Sequence, residues 1–300
     1  MEGWILKYIL NLADGFGRLF VYNNNSPEVG EVIEDISYGD HPKQKLDIII
    51  PEKKRTEYPV LVFIHGGGWI SGDKSSHRRI AKVFASKGYL VVNINYRLAP
   101  KYKFPVQFQD VSKAIKYVYK NISNYGGDYK QLFLGGDSAG AYLASWYAAA
   151  LKKQKLFQKT NIKNSIPVDF LRGLLLFYGL YDLDKSRDTN FFKLETMLKS
   201  FLGKAVEYDS EKVKLGSPIR HLTKDYPPVF ICSGEKDNLH QESIRFVKKL
   251  SKLNIDYKKL FFNKEYKCQH GFLNLYFYKS AQIAMKNSIK FLDTFSKKQI

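Results

Sequence analysis

From about residue 45 onward, short apolar runs rich in β-branched residues alternate with longer stretches of helical spacing. The runs at 46–50, 60–64, 90–96, 132–134, 174–177, 229–232 and 259–262 predict strands. Between them, Ile80-Val83-Phe84, Val111-Ile115-Val118-Tyr119 and Ile244-Val247-Leu250-Leu253 carry the period of an amphipathic helix. Near-continuous apolar strands separated by such helices predict an α/β fold, with a parallel sheet covered on both faces. No internal repeat and no linker rich in Gly, Ser or Pro interrupts the alternation, so one domain is expected over residues 1–300.

Two segments break the pattern. At the start, Trp4, Ile5, Tyr8, Ile9, Leu12, Phe16, Leu19 and Phe20 recur at helical spacing, with Glu2, Lys7, Asn11 and Asp14 between them. Lys7 interrupts the apolar run and no small-x-small site follows, so the pattern is not that of a secretion signal. Such a stripe is expected to pack on its own domain. A lid over a lipophilic pocket, or a weak membrane contact, is the sharper alternative. The second segment, about 181–228, holds Phe192, Leu194, Met197, Leu198, Phe201 and Leu202 at helical spacing between two strand candidates. A connection this long usually serves function, and here it predicts a lid over the carboxyl edge of the sheet. Cap elements are thus expected at about 1–30 and about 182–226.

With 44% hydrophobic and 26% charged residues the composition is globular rather than disordered. The net charge of +19 invites a nucleic-acid reading, yet only nine of the 48 basic residues are Arg, the residue suited to bidentate phosphate and base contacts. The lysines are spread along the chain, as solvated helix faces would have them, and no nucleic-acid partner is expected. Two cysteines, Cys232 and Cys268, cannot build a disulfide scaffold; free buried thiols are favoured over a bridge, and a cytoplasmic location is expected. No run reaches the roughly 18 apolar residues of a membrane span, so no stable membrane insertion is expected. The histidines and cysteines lack metal-ligand spacing, and no metal is expected. Oligomeric state is not legible.

Chemistry concentrates in four places. Gly136-Asp137-Ser138-Ala139-Gly140 lies between a strand candidate and a helix-forming stretch, the context of a nucleophile elbow with Ser138 at its apex. His65-Gly66-Gly67-Gly68-Trp69 directly follows the strand at 60–64. Its glycines let the backbone approach a reacting oxygen and aim amides at the charge that develops there. On this reading Gly66 and Gly67, with Ala139, supply the oxyanion hole, and Gly68 serves the turn.

A serine nucleophile needs a base, and in a strand–elbow–helix arrangement the order is Ser, acid, His. That order removes His41, His65 and His77; His240 opens a helix too close to the acid, and His221 lies in the lid, which leaves His270 in the loop before the last helix. Fourteen carboxylates stand between Ser138 and His270, so the acid is chosen by position. Asp237, just past the strand at 229–232, fits best, with Glu235 on the same turn and Asp182 on another as rivals.

Together these motifs resemble the α/β-hydrolase serine esterases, specifically the hormone-sensitive-lipase-like carboxylesterases, over about residues 35–295. Tyr96-Arg97-Leu98-Ala99-Pro100, Phe104-Pro105, Asp110 and His270-Gly271-Phe272 belong to the same likeness. It implies an eight-stranded, mostly parallel sheet, a Ser138–His270–Asp237 triad, no cofactor, and hydrolysis of small-molecule carboxylic esters with short-to-medium acyl groups. Asn238 stands where the family usually has proline. Trp69 with Ser71-Gly72-Asp73-Lys74 looks like the branch of feruloyl and acetyl-xylan esterases and arylformamidases. Formamide or amide cleavage on the same triad is therefore an alternative, and a non-catalytic ligand-binding module is an alternative of another class. Arg97 is expected to pair with Asp110 rather than to serve the site.

Overall fold

Each of the seven apolar runs becomes a strand of a single sheet in the computed structural model, which describes residues 1–203 and 207–296. The strands are β1 (Glu31–Ser37), β2 (Lys45–Ile50), β3 (Tyr58–Ile64), β4 (Leu90–Ile94), β5 (Gly127–Asp137), β6 (Leu171–Phe177), β7 (Val229–Gly234) and β8 (Tyr257–Phe262). Their order is β1-β2-β4-β3-β5-β6-β7-β8. Strand β2 runs antiparallel to both of its neighbours, and every pairing from β4 to β8 is parallel.

Strand β1 is the one that the apolar pattern did not single out. It lies at the sheet's edge, half-solvated, and a register shift between Ile33 and Ile36 accommodates Asp35 at φ 58°. An edge strand with acidic residues and a bulge blunts pairing with other chains, and for the same reason reads as polar.

The helices are α1 (Glu2–Gly17), α2 (Arg78–Ala85), α3 (Val106–Asn121), α4 (Ala139–Lys152), α5 (Lys155–Lys159), α6 (Leu194–Leu202), α7 (Glu211–Gly216), α8 (His240–Lys252) and α9 (Lys279–Phe295). The two-residue period of the strands divides the core into two layers. Val60, Val62, Ile64, Leu132, Leu134, Leu174 and Leu176 face α3, α4 and α8. The intervening Leu61, Phe63, Phe133, Leu175 and Phe177 face α2 and α9. Both faces are therefore buried, which is why these strands read as unbroken apolar runs.

The long connection between β6 and β7 carries α6 and α7; residues 204–206 within it lie outside the described residues. Met197, Leu198, Phe201 and Leu202 of α6 are buried, and Phe201 stacks on Trp69 with ring centroids 4.7 Å apart. Phe192, although part of the predicted stripe, precedes α6 and is exposed. The start of the connection is pinned from beneath: the buried Glu242 of α8 accepts hydrogen bonds from the Tyr181 and Asp182 amides at 2.9 and 2.8 Å.

Helix α1 forms as expected, but its apolar stripe does not pack on the domain. Only Leu6 and Gly17 of α1 are buried, whereas Trp4, Ile5, Tyr8, Ile9, Leu12 and Phe16, with Leu19 and Phe20 beyond the helix, are all exposed. The helix is held instead by Leu6 and Leu10, which pack on the core, together with its small and polar residues. Gly3 lies so close to α6 that a Cβ there would meet Ser200 Oγ at 2.2 Å. Lys7 Nζ donates to the Ala99 carbonyl at 3.0 Å, and Asp14 accepts from the Ser76 hydroxyl at 2.8 Å. These anchors fix the rotation of the helix and turn the large apolar side chains outward.

Candidate active site

Strand β5 ends at Asp137 and α4 begins at Ala139, so a single residue, Ser138, makes the turn. It does so at φ 50°, ψ −118°, a conformation that costs a non-glycine residue about 1–3 kcal/mol and persists only where the surroundings enforce it. The Ser138 amide donates to the Phe177 carbonyl at 2.9 Å, tying the turn to β6. On the other side β3 crowds in: a Cβ on Gly140 would lie 1.9 Å from the Ile64 carbonyl oxygen, and one on Gly136 2.5 Å from it. The Gly-x-Ser-x-Gly spacing is thus required by the approach of a neighbouring strand.

His270, in the loop after β8, places Nε2 2.8 Å from Ser138 Oγ and Nδ1 2.9 Å from Asp237 Oδ2. Asp237 follows β7 with its side chain 1% exposed, and its other oxygen accepts the Leu239 amide at 2.8 Å. An ionised carboxylate can only accept, so the Nδ1 proton faces Asp237 and Nε2 is left to accept from the serine hydroxyl. The edges of Tyr178 and Phe191, with centroids 5.0 and 4.6 Å from the imidazole, hold its plane.

The rival groups lie elsewhere. Glu235 is exposed, and Asp182 stands 3.9 Å from Arg220. The ring of His240 meets Ser233 Oγ at 2.8 Å, and His221 Nε2 meets the Lys214 and Leu215 carbonyls.

The glycine loop requires one correction. The Gly66 amide donates to Asp137 Oδ1 at 2.8 Å, so it is not available to an oxyanion. The same oxygen is 2.8 Å from His77 Nε2, and both side chains are buried. Burial pulls the His77 pKa down, but the charge and hydrogen bond of Asp137 outweigh it and the pKa stands above the ordinary histidine value. Burial likewise pushes Asp137 up, and His77 outweighs it and holds the carboxyl below its ordinary value. Asp137 is thus a fixed anion that locks the glycine loop to the serine turn. The sequence signal for it is the charged residue inside the Gly-x-Ser-x-Gly motif, and the chain order that excludes His77 as a base is silent on a structural role.

Beyond the lock, Gly67 and Gly68 turn with φ 109° and 58°, and their amides meet no acceptor among the described residues. The Ala139 amide is the first of α4 and has no intrahelical acceptor. All three residues line a cleft of about 330 Å³ that also contains Ser138 and His270. Leu180, Phe191, Leu194, Met197 and Leu239 give it an apolar wall, and Leu10, Ala13, Asp14 and Tyr22 bring the N-terminal segment to its mouth. Both segments that break the strand–helix alternation therefore border the cleft.

Other motif residues are structural. Arg97 pairs with the fully buried Asp110 through Nε and Nη2, the closest contact being 2.6 Å, as expected. Tyr96 stacks on His65 at 4.4 Å and its hydroxyl donates to the His65 carbonyl. Asp73 caps the turn at Lys74–His77, and Lys74 is buried against Asp47 at 2.6 Å. Asn238 Nδ2 donates to the Asn190 carbonyl at 2.8 Å, tying the Asp237 turn to the connection between β6 and β7. Cys232 and Cys268 are free and buried.

The BD-FAE family profile matches residues 46–250. The chain is 32% identical over 254 residues to a probable carboxylic ester hydrolase LipM of Mycobacterium tuberculosis, covering 79% of this chain and 56% of that protein. It is 29% identical over 247 residues to a probable isoprenylcysteine alpha-carbonyl methylesterase ICME of Oryza sativa subsp. japonica, covering 76% of this chain and 58% of that one. It thus spans little more than half the length of these curated relatives. Among solved structures, esterase B from Lactobacillus rhamnosis superposes with a TM-score of 0.83 at 21% identity, covering 96% of this chain and 92% of that one. An esterase of Pyrobaculum calidifontis gives 0.79 at 21% identity, covering 98% and 93%. Sheet order, parallel pairing and these superpositions together make the fold that of the α/β-hydrolases, and with a profile match over more than half its length the chain belongs to the BD-FAE family.

Proposed function

We propose that this protein is a serine carboxylesterase acting on small-molecule esters of short-to-medium acyl chain. The observation that carries the reading is the relay from Ser138 Oγ through His270 to Asp237, with spacings of 2.8 and 2.9 Å at the carboxyl edge of the sheet. Ser138 attacks the acyl carbon as its proton passes to His270 Nε2, and Asp237 stabilises the imidazolium. The oxyanion is held by the amides of Gly67, Gly68 and Ala139, while the anion at Asp137 keeps the loop in place through Gly66. Collapse expels the alcohol, which takes the proton from His270; water then repeats the sequence on the acyl-enzyme, releasing the acid and restoring Ser138. The cleft volume of about 330 Å³ lies at the small end of ligand sites, and its apolar wall suits a modest acyl group. The names of the relatives, ester hydrolase and methylesterase, both denote cleavage of carboxylic esters.

Ser138→Ala is expected to lower turnover by about 10⁴-fold or more and to abolish labelling by a fluorophosphonate. Absence of labelling of wild type, together with no turnover in a panel of nitrophenyl acyl esters, acetylated sugars and N-formyl aromatics, would move the reading to a binding module. Equal turnover of butyryl and palmitoyl nitrophenyl esters would overturn the acyl-length reading.

A further inference from the structure

Helix α1 sets Leu6 and Leu10 with its small and polar residues against the protein and turns its other large apolar side chains outward. Among the described residues, nine of the twelve exposed large apolar side chains fall within the first 20 residues, Val168, Phe192 and Phe277 being the others. Such a contiguous apolar surface on a chain otherwise this charged marks a contact surface. Its surroundings indicate what it contacts. Trp4 shares a surface cleft with Lys7, Lys43 and Lys101, and the Lys7 ammonium lies 5.8 Å from the Trp4 ring. The shared cleft places three cations together at one flank of the helix, and burial, and after it the Lys43 and Lys101 ammonium groups, hold the Lys7 pKa below its ordinary value. A net charge of +19 opposes the approach of a second copy of the chain and favours a negative surface.

We propose that α1 and the turn after it dock the protein reversibly on an anionic lipid bilayer, with the apolar side chains at the acyl boundary and Lys43 and Lys101 among the headgroups. The composition follows that of interfacial helices, aromatic and aliphatic on one side with basic groups at the flank. No helix among the described residues is long and apolar enough to cross a membrane, so the contact is peripheral. Leu10, Ala13 and Asp14 of the same helix border the catalytic cleft, and docking would therefore bring the cleft mouth to the lipid surface. The docking itself does not rest on the esterase reading, and its test uses no turnover.

The test is flotation of the full chain with vesicles of phosphatidylcholine and phosphatidylglycerol in equal parts, together with tryptophan emission. Trp69 and Trp146 are buried and give a constant background, so a blue shift reports Trp4. Wild type is expected to float with these vesicles, to shift blue, and to dissociate as salt is raised. Ile5→Ser/Leu12→Ser/Phe16→Ser, at three exposed positions, is expected to keep its thermal midpoint and lose at least about tenfold in partitioning. Lys43→Gln/Lys101→Gln is expected to weaken partitioning about tenfold or more. The proposal is overturned by absence of flotation, by equal flotation of the triple serine variant, by equal binding to phosphatidylcholine alone, or by a dimer in light scattering that the triple serine variant dissolves.

Discussion

The Asp137 carboxylate and the His77 imidazole meet at 2.8 Å beside Ser138, each about 6% exposed at its side chain. The pair joins three pieces of chain, because the same carboxylate oxygen also takes the Gly66 amide. Its charge state makes stability depend on pH in both directions. The folded-state pKa of His77 is raised above 6.5, so its contribution is complete below that value and is lost as pH rises through the raised pKa. That of Asp137 is lowered below 3.8, so its contribution is complete above that value and is lost as pH falls through the lowered pKa. The difference in thermal midpoint between wild type and His77→Gln is expected to be greatest between these limits and to shrink on either side. A difference independent of pH would show that the pair is not ionised.

Choice of acid is testable by exchange of single atoms. Asp237→Asn is expected to lower kcat about 10⁴-fold, because an amide facing Nδ1 disfavours the tautomer that the serine needs. Glu235→Gln, at an exposed carboxylate on the same turn, should leave kcat within about twofold, as surface changes away from a site generally do. Comparable losses in the two variants would return the assignment to the turn as a whole.

Glu242 supports the site from a distance. Glu242→Ala leaves the buried Tyr181 and Asp182 amides without their acceptor, each worth about 1–3 kcal/mol. Both amides bond to the same oxygen, so Glu242→Gln retains an acceptor for them and is expected to destabilise far less. Calorimetry of the two variants distinguishes lost acceptance from lost charge beside Arg245.

Burial pushes the Cys268 thiol up to about 12 and Cys232 well above its ordinary value. Since the thiolate is the reactive form, maleimide at neutral pH is expected to leave both unmodified in the folded protein and to modify both in denaturant. Rapid modification of the native protein would contradict their burial.

Much of the fold was legible because strands buried on two faces are apolar without a break, as β3 and β4 are. The hydrogen-bonded set of Ser138, His270 and Asp237 was legible because each follows a strand that the pattern had located, Ser138 directly and His270 after a loop. What escaped were features whose signal is a partner rather than a pattern. Strand β1 is polar because it is an edge; the Gly66 amide is withdrawn by a carboxylate that only folding brings to it. The periodicity of α1 gave the helix correctly but not its rotation, which the hydrogen bonds that Lys7 donates and Asp14 accepts help to decide. Stripes are ordinarily assigned to the core because most are, and nothing in residues 1–20 alone distinguishes an inward stripe from an outward one.

The connection between β6 and β7 touches the Asp237 turn and the His270 ring through adjacent residues: the Asn190 carbonyl takes the Asn238 side chain, and the Phe191 ring edges the His270 imidazole. Lifting this stretch from the cleft breaks both contacts at once, one on each side of the relay. A segment that borders the cleft and also edges the imidazole ties the shape of the cleft mouth to the orientation of the His270 ring.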